Sequence, residues 1–367
     1  GLSRYPNLSV LGTDPGAAGP EHDAQASDRA ELVISGSKAV VNGELFVKVT
    51  LQETATGRVL WGRSFVRDLR SHGMLHACDE VADAIVRALA QPYGAIFNYR
   101  AKGLLQCERQ PLPSCDGVIL FHQYRRSLRE DHQRAARDAL HRAIDGDPEC
   151  TEALACLSRL YTDAQRLGLV SQEARRTLLA RAAELAHRAI DSSPDSACGY
   201  HALGQAYWFQ QDVEASLEAT EVALALNTNA MEVAADLGLH WSLLARWDRA
   251  VPLLESTSGP GQGNWAGHHI GLSLHHFDSG RFEAALGASR AIHPSDMRSR
   301  YVLQAIALVG LGRTDQASEV VEALLNVDPY CDRPPLFELS GGNLEPKLGD
   351  RIAEALAEAG LPTIPQC

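Results

Sequence analysis

Two hydrophobic periods divide the chain. Between residues 31 and 66, apolar side chains alternate with polar ones in three runs, Glu31 to Val41, Glu44 to Glu53 and Arg58 to Val66. Alternation at period two is the mark of strands with one covered face. Asn42-Gly43 separates the first two runs and Thr54-Ala55-Thr56-Gly57 the next two. Asn-Gly tolerates positive φ at both turn positions, so the runs read as an antiparallel meander. Leu45, Val47, Val49 and Leu51 share a face of the second run, and Val59, Trp61 and Phe65 a face of the third. Gly73 to Gln91, with Leu75, Val81, Ile85, Val86 and Leu89 at helical spacing, supplies the cover. Trp61 reads as core, because it alternates with apolar strand neighbours.

From about residue 115 the period becomes 3.6, and paired helices recur at roughly 34 residues with small residues where they cross. Tyr200, Leu203, Gly204 and Tyr207 mark the first helix of one unit, and Ser216 and Ala223 the small positions of its second. Leu237, Gly238, Trp241, Trp247, Ala250 and Leu254 repeat the arrangement, as do Leu272, Gly280, Phe282, Ala285 and Leu286. In the first unit Ala136, Leu140, Ala143 and Pro148 fit the second helix, while its first helix fits poorly. Ala182, Ala189 and Pro194 arrive about a dozen residues late, which places an insertion near Asp163 to Arg176. After Arg333-Pro334-Pro335, a helix from about Pro346 to Ala359 reads as the cap an unpaired last repeat requires.

The expected fold is mainly α. It is a right-handed tetratricopeptide-type α-solenoid of about six helical hairpins, preceded by a small α+β domain with an antiparallel meander. The boundaries are 1–95 for the α+β domain, 96–114 for a linker, 115–330 for the solenoid and 331–367 for a capping helix and tail. Residues 14–27, rich in Gly, Pro, Ala and Asp, read as a surface loop. The strand-like Leu8-Ser9-Val10-Leu11 follows Gly1 so soon that Gly1 reads as an entry into the middle of a domain.

Composition narrows the function. A formal charge of −12 and 45% hydrophobic residues fit a folded protein without a nucleic-acid surface spread over it. No apolar run approaches the 18 or so residues a membrane helix needs. Eight cysteines lie scattered through helical patterns without CxxC spacing and read as buried, reduced thiols, which points to the cytoplasm.

In order, "LSRYPNLSVL", "ELVISGSKAVVNGELFVKVTLQETATGRVLWGRSFVRDL", "ARDALHRAIDGDPE", "ALALNTNAMEVAADLGLHWSLLARWDRAVPLLE" and "EALAEAGLP" resemble a TolB amino-terminal-like domain joined to tetratricopeptide repeats. That layout is similar to the regulatory region of HilA-like or CadC-like winged-helix transcription regulators and of class III adenylate cyclases of proteobacteria. The resemblance implies an upstream output domain, winged helix or cyclase, as the partner. Family members begin the first domain with a further strand and helix upstream of "LSR".

No nucleophile elbow, HExxH helix or Rossmann fingerprint appears, so no catalytic residue, cofactor or metal is assigned. His268-His269 and His275-His276 are the densest titratable cluster. Residues seven apart on a helix stand about 10 Å apart along it, too far for one ion without ligands from another helix. Gly259-Pro260-Gly261-Gln262-Gly263 lacks the strand and the Lys-Ser/Thr of a phosphate loop and reads as a linker between repeats. Function is expected instead on the inward wall of first helices, at Cys198, His201, Gln205, Trp208, Leu239, Ile270, Leu274 and Phe277, with His269 and His276 beside them. Trp208 is the leading aromatic of that lining, whereas Trp241, Trp247 and Trp265 read as inter-helix core. The expected role is regulatory. A small-molecule effector, or a peptide or protein, sits in the groove and biases the output domain by moving the repeats or by controlling homodimerisation. A constitutive protein scaffold without a small-molecule ligand is the alternative.

Overall fold

The computed structural model describes residues 30–90, 94–106, 114–166, 172–228, 230–257, 266–293, 297–328 and 334–361. The expected loop at 14–27, the strand at 8–11, the linker at 259–263 and Trp265 lie outside the described residues. The chain forms two compact units, residues 1–110 and 111–367.

In the first unit β1 (Leu32–Val41), β2 (Glu44–Glu53) and β3 (Val59–Asp68) make one antiparallel sheet in sequence order. Asn42 (φ 53°) and Gly43 (φ 80°) turn the first hairpin, as the Asn-Gly signal requires. Leu45, Val49, Leu51 and Phe65 are buried. Val59 departs from the expected face. A bulge opposite Leu51 and Gln52 shifts the register, so Leu60 joins the packed cluster while Val59 stays 54% exposed.

Helix α1 (Leu69–Ala90) is broken at Gly73 (φ 72°), so its continuous helical part begins after that residue. Val81 packs on Val49 and Phe65, and Leu89 on Leu51. The segment expected as a linker instead begins with helix α2 (Ala95–Gln106). Ile96, Phe97 and Ala101 are buried, Ile96 packs with Leu51 and Leu89, and the Tyr99 hydroxyl donates to Glu53 of β2. Apolar positions at helical spacing recruit this stretch to the core.

The second unit is a tetratricopeptide-type solenoid of six helical hairpins among the described residues. They are α3 (Ser114–Ser127) with α4 (Glu130–Gly146), α5 (Thr151–Arg166) with α6 (Gln172–Ser192), α7 (Ala197–Phe209) with α8 (Val213–Leu226), α9 (Met231–Leu243) with α10 (Trp247–Ser256), α11 (Ala266–Asp278) with α12 (Phe282–Arg290), and α13 (Arg298–Gly310) with α14 (Thr314–Val327). The poorly fitting first helix of the first unit is therefore present as α3. First helices begin at 197, 231 and 266, close to the expected interval, but the step from 151 to 197 is longer, and the 21-residue α6 takes up the largest part of the excess.

Small residues close the hairpins. At Gly238 a Cβ would stand 2.7 Å from Leu254 Cδ2, so α9 and α10 approach only because no side chain intervenes. Trp241 is buried in the same contact with Leu217, Ala250 and Leu254, and Trp247 packs beside it, donating its indole N–H to Asp278. After α14 the chain makes a single helical turn, α15 (Phe337–Ser340), and then the last described helix, α16 (Pro346–Glu358). Leu348, Ile352 and Leu356 of α16 join the core of the last two hairpins, and Ser318 of α14 donates to the Ala359 carbonyl.

Candidate functional site

The first helices α3, α5, α7, α9, α11 and α13 form one wall of the solenoid, and two structures occupy it. One is a buried ionic cluster, the other the chain's own carboxy-terminal segment.

The cluster draws on four first helices. Arg159 of α5 forms hydrogen-bonded ion pairs with Glu232 of α9, and the two side chains are only 8% and 10% exposed. Arg125 of α3 donates to Asp163 of α5 at 2.6 and 2.9 Å and lies 3.6 Å from Glu232. His201 and Gln205 of α7 both reach Asp236 Oδ2 of α9, at 3.0 and 3.2 Å. Phe121 lies beneath the Arg159 guanidinium at 5.2 Å.

Burial opposes ionisation of Glu232, but Arg159 and Arg125 overcome it and hold the carboxyl well below its usual range. Burial likewise works against the charge of Arg159, and Glu232 reverses that. Asp236 is lowered in spite of burial, chiefly by its bond from His201. His122 faces the same cluster, and burial pushes it down to about 3. The expected wall residues His201 and Gln205 are thus committed to an internal network.

The second occupant is the segment from Pro334 to Glu345. It leaves the start of α13, where Arg298 donates to the Pro334 carbonyl and pairs with Glu338 at 3.0 Å. It reaches α7, where the Trp208 indole donates to the Leu339 carbonyl at 2.8 Å and Asn343 Nδ2 donates to the Trp208 carbonyl at 2.7 Å. Arg175, at the start of α6, lies over the Phe337 ring at 5.0 Å and donates to the Phe209 and Gly341 carbonyls. The backbone N–H of Glu345 then donates to the Leu243 carbonyl at the end of α9. Arg351 of α16 pairs with Asp278 at the end of α11 and lies over Phe277. This segment is a strap across the first-helix wall.

The strap changes the reading of the expected lining. Trp208 is fully buried, stacked on His240 at 3.8 Å and 3°, and presents no open face. Leu239, Ile270, Leu274 and Phe277 are buried in one cluster with Leu336, Leu339 and Leu348, so the strap side chains lie where an open groove was expected. Cys198 is half-buried, with its thiol 3.1 Å from Ser196 Oγ.

His269 and His276 are half-buried. Burial, then His268 and His293, lower His269 to about 4. His276 is lowered by burial first and Arg281 second. His268 is tied to the Leu254 carbonyl at 2.7 Å and to Thr257 at 3.0 Å. Among the described residues no group of three or more His, Cys, Asp and Glu is placed to hold a metal ion. The thiols divide as well: Cys156 is buried and Cys150 half-buried, whereas Cys78 is exposed, because it falls on the outer side of α1. No helix of the described residues is long and apolar enough to cross a membrane.

No family model matches the chain, and no curated protein matches it. Among solved structures it is similar to PilW, a widely conserved type IV pilus biogenesis factor, with 19% identity over 62% of this chain and 96% of that one and a TM-score of 0.43. It is similar also to Pseudomonas aeruginosa pilF, with 15% identity over 64% and 94% and a TM-score of 0.41. A third is YrrB, described as a TPR protein with an unusual peptide-binding site, with 15% identity over 53% and 95% and a TM-score of 0.35. Likeness at these levels says nothing about what this chain binds.

Proposed function

We propose that this chain is a protein-docking regulatory module whose first-helix wall binds an extended segment of a partner. The observation that carries the reading is the way the wall holds the strap. Trp208, Arg175 and Arg298 donate to strap carbonyls, and the Leu243 carbonyl accepts a strap N–H. Main-chain bonds supply affinity for any extended segment, and side-chain pockets beside them supply selectivity.

The resemblance of the amino-terminal strand motif supports placing this module in a bacterial signalling protein. The output domain it biases is a winged helix, with a class III cyclase as the alternative. Release of the strap and rearrangement of the hairpins give a two-state element on which such a bias can act.

The test is fluorescence anisotropy of a dye-labelled synthetic peptide of residues 334–346, added to the full chain carrying Leu339→Asp. That substitution puts a charge where the strap buries leucine and so vacates the wall. Saturable binding that disappears when Trp208→Ala is added is expected. A folded Leu339→Asp chain that takes up no peptide would refute the docking reading.

A further inference from the structure

We infer that the partner segment carries the strap's own side-chain pattern, a leucine, an aromatic, a carboxylate and a leucine followed two residues on by a pair of glycines and an asparagine, and that it binds by displacing the strap. The inference rests on the docking reading and names its ligand. Each element of the pattern meets a distinct feature of the wall. Leu336 and Leu339 are buried in the cluster that contains Ile270, Leu274 and Trp208. Phe337 lies under the Arg175 guanidinium, a cation over an aromatic face. Glu338 is 8% exposed and pairs with Arg298.

Gly341 (φ 59°) and Gly342 (φ 103°) adopt backbone conformations that other residues avoid. A Cβ on Gly341 would stand 2.8 Å from Phe209 Cδ1, and one on Gly342 would run into Gln211 Nε2. Asn343 closes the pattern on the Trp208 carbonyl. Apolar, aromatic, acidic and glycine positions are thus each read by different side chains, of α6, α7, α11 and α13 and of the turn after α7.

The same contacts show why the strap can be exchanged. Its only regular structure is the four-residue α15, which has no stability apart from the wall it lies on. Among the described residues Glu338 Oε1 is buried without a hydrogen-bond partner, as is Ser299 Oγ on α13. A buried acceptor left unmade is costly, so a segment that keeps this pattern and also brings a donor to the carboxylate outcompetes the strap. While the strap is seated, the apparent affinity for a partner falls in proportion to the fraction of wall left free.

The test uses the full chain in two forms, wild type and Leu339→Asp, with synthetic peptides of residues 334–346. One peptide is unaltered, and the others carry Glu338→Lys, Gly341→Ala with Gly342→Ala, or Leu336→Ala with Leu339→Ala. The unaltered peptide is expected to bind the Leu339→Asp chain at least about tenfold more tightly than it binds the wild type. Each altered peptide is expected to bind the Leu339→Asp chain at least about tenfold more weakly than the unaltered one.

Equal binding of all four peptides would overturn the pattern and leave the docking reading standing. Binding of none by a folded Leu339→Asp chain would remove the docking reading itself. Equal affinity of the two chains would overturn displacement. A Leu339→Asp chain that dimerises with the wild type by taking its strap would show that the occupant is a second copy and overturn the partner assignment. If Leu339→Asp melts without cooperativity, Glu338→Lys, which sets a cation against Arg298 and so loosens the strap without placing a charge among the leucines, carries the same panel.

Discussion

Glu232→Gln removes one negative charge from the ionic cluster while keeping the side-chain shape. In the folded chain it leaves the Arg159 guanidinium buried without its hydrogen-bonded carboxylate, and removes one of the carboxylates beside Arg125. Breaking a buried ion pair from one side costs about 3–5 kcal/mol, because the remaining charge keeps its desolvation penalty. For a unit of this size each kcal/mol moves the melting temperature by roughly 2–4 °C. The expected fall is therefore roughly 6–20 °C, read by circular dichroism on the full chain at neutral pH. Glu221→Gln is the control. Its pair with Arg249 spans 3.5 Å with both side chains more than half exposed, and its loss should cost less than about 0.5 kcal/mol. Replacing both buried partners, Arg159→Met with Glu232→Leu, should restore much of the stability lost in the single variant, since no lone charge remains. A Glu232→Gln chain within about 1 kcal/mol of wild type would refute the claim that this cluster ties α5 to α9.

Acid should act on the fold before any carboxylate titrates. Burial pushes His122 down to about 3 and His240 down to about 4 in the folded chain. The unfolded chain, with histidine near 6.5, takes up protons that the folded chain cannot, so stability falls as pH drops below about 6.5. The Glu232 contribution has the opposite origin: its folded value is depressed, so it is present above about 4.3 and lost as pH falls further. Urea unfolding at stepped pH should show the first loss between about 6.5 and 5, and a flat profile there would contradict the buried neutral histidines.

Gly238→Ala and Gly287→Ala should differ in sign. The first forces a Cβ onto Leu254 and should destabilise by about 1–3 kcal/mol. The second, in α12 with nothing within 4 Å, should gain about 0.5–1 kcal/mol from helix propensity. Parallel melting curves decide, and a shift in the same direction for both would contradict the close crossing of α9 and α10.

Much of the architecture was legible because each part rests on a local period or a turn residue. Asn42-Gly43 declares its hairpin through positive φ, and Ala250, Leu254 and Gly238 declare theirs through size. The bulge that exposes Val59 was not legible, since a register shift leaves the alternation of apolar residues intact. Helix α2 was missed where Ile96, Phe97 and Ala101 gave too short an apolar face between Pro92 and Pro111-Leu112-Pro113.

The site was less legible than the fold. His201, Gln205 and Trp208 lie on the first-helix wall, but their partners come from elsewhere. Asp236 is one hairpin further on, and Leu339 is more than a hundred residues away in sequence. Arg159 with Asp163 stands four residues apart on its helix, a spacing that reads equally well as solvent-exposed pairing, and Glu232 with Asp236 reads as two acids on a solvated face. Only the superhelix brings them together. The strap residues Leu336 to Asn343 carry no repeat pattern and gave no sign of lying across the wall.

The most direct test of the central claim is amide hydrogen exchange over residues 336–345 in the full chain. The N–H groups of Leu339, Gly341 and Asn343 bond within the strap, and that of Glu345 bonds to Leu243. A strap seated on the wall predicts protection well above that of a free peptide of the same sequence, lost when Trp208→Ala removes the indole donor. Exchange at the free-peptide rate in the unaltered chain would contradict the account.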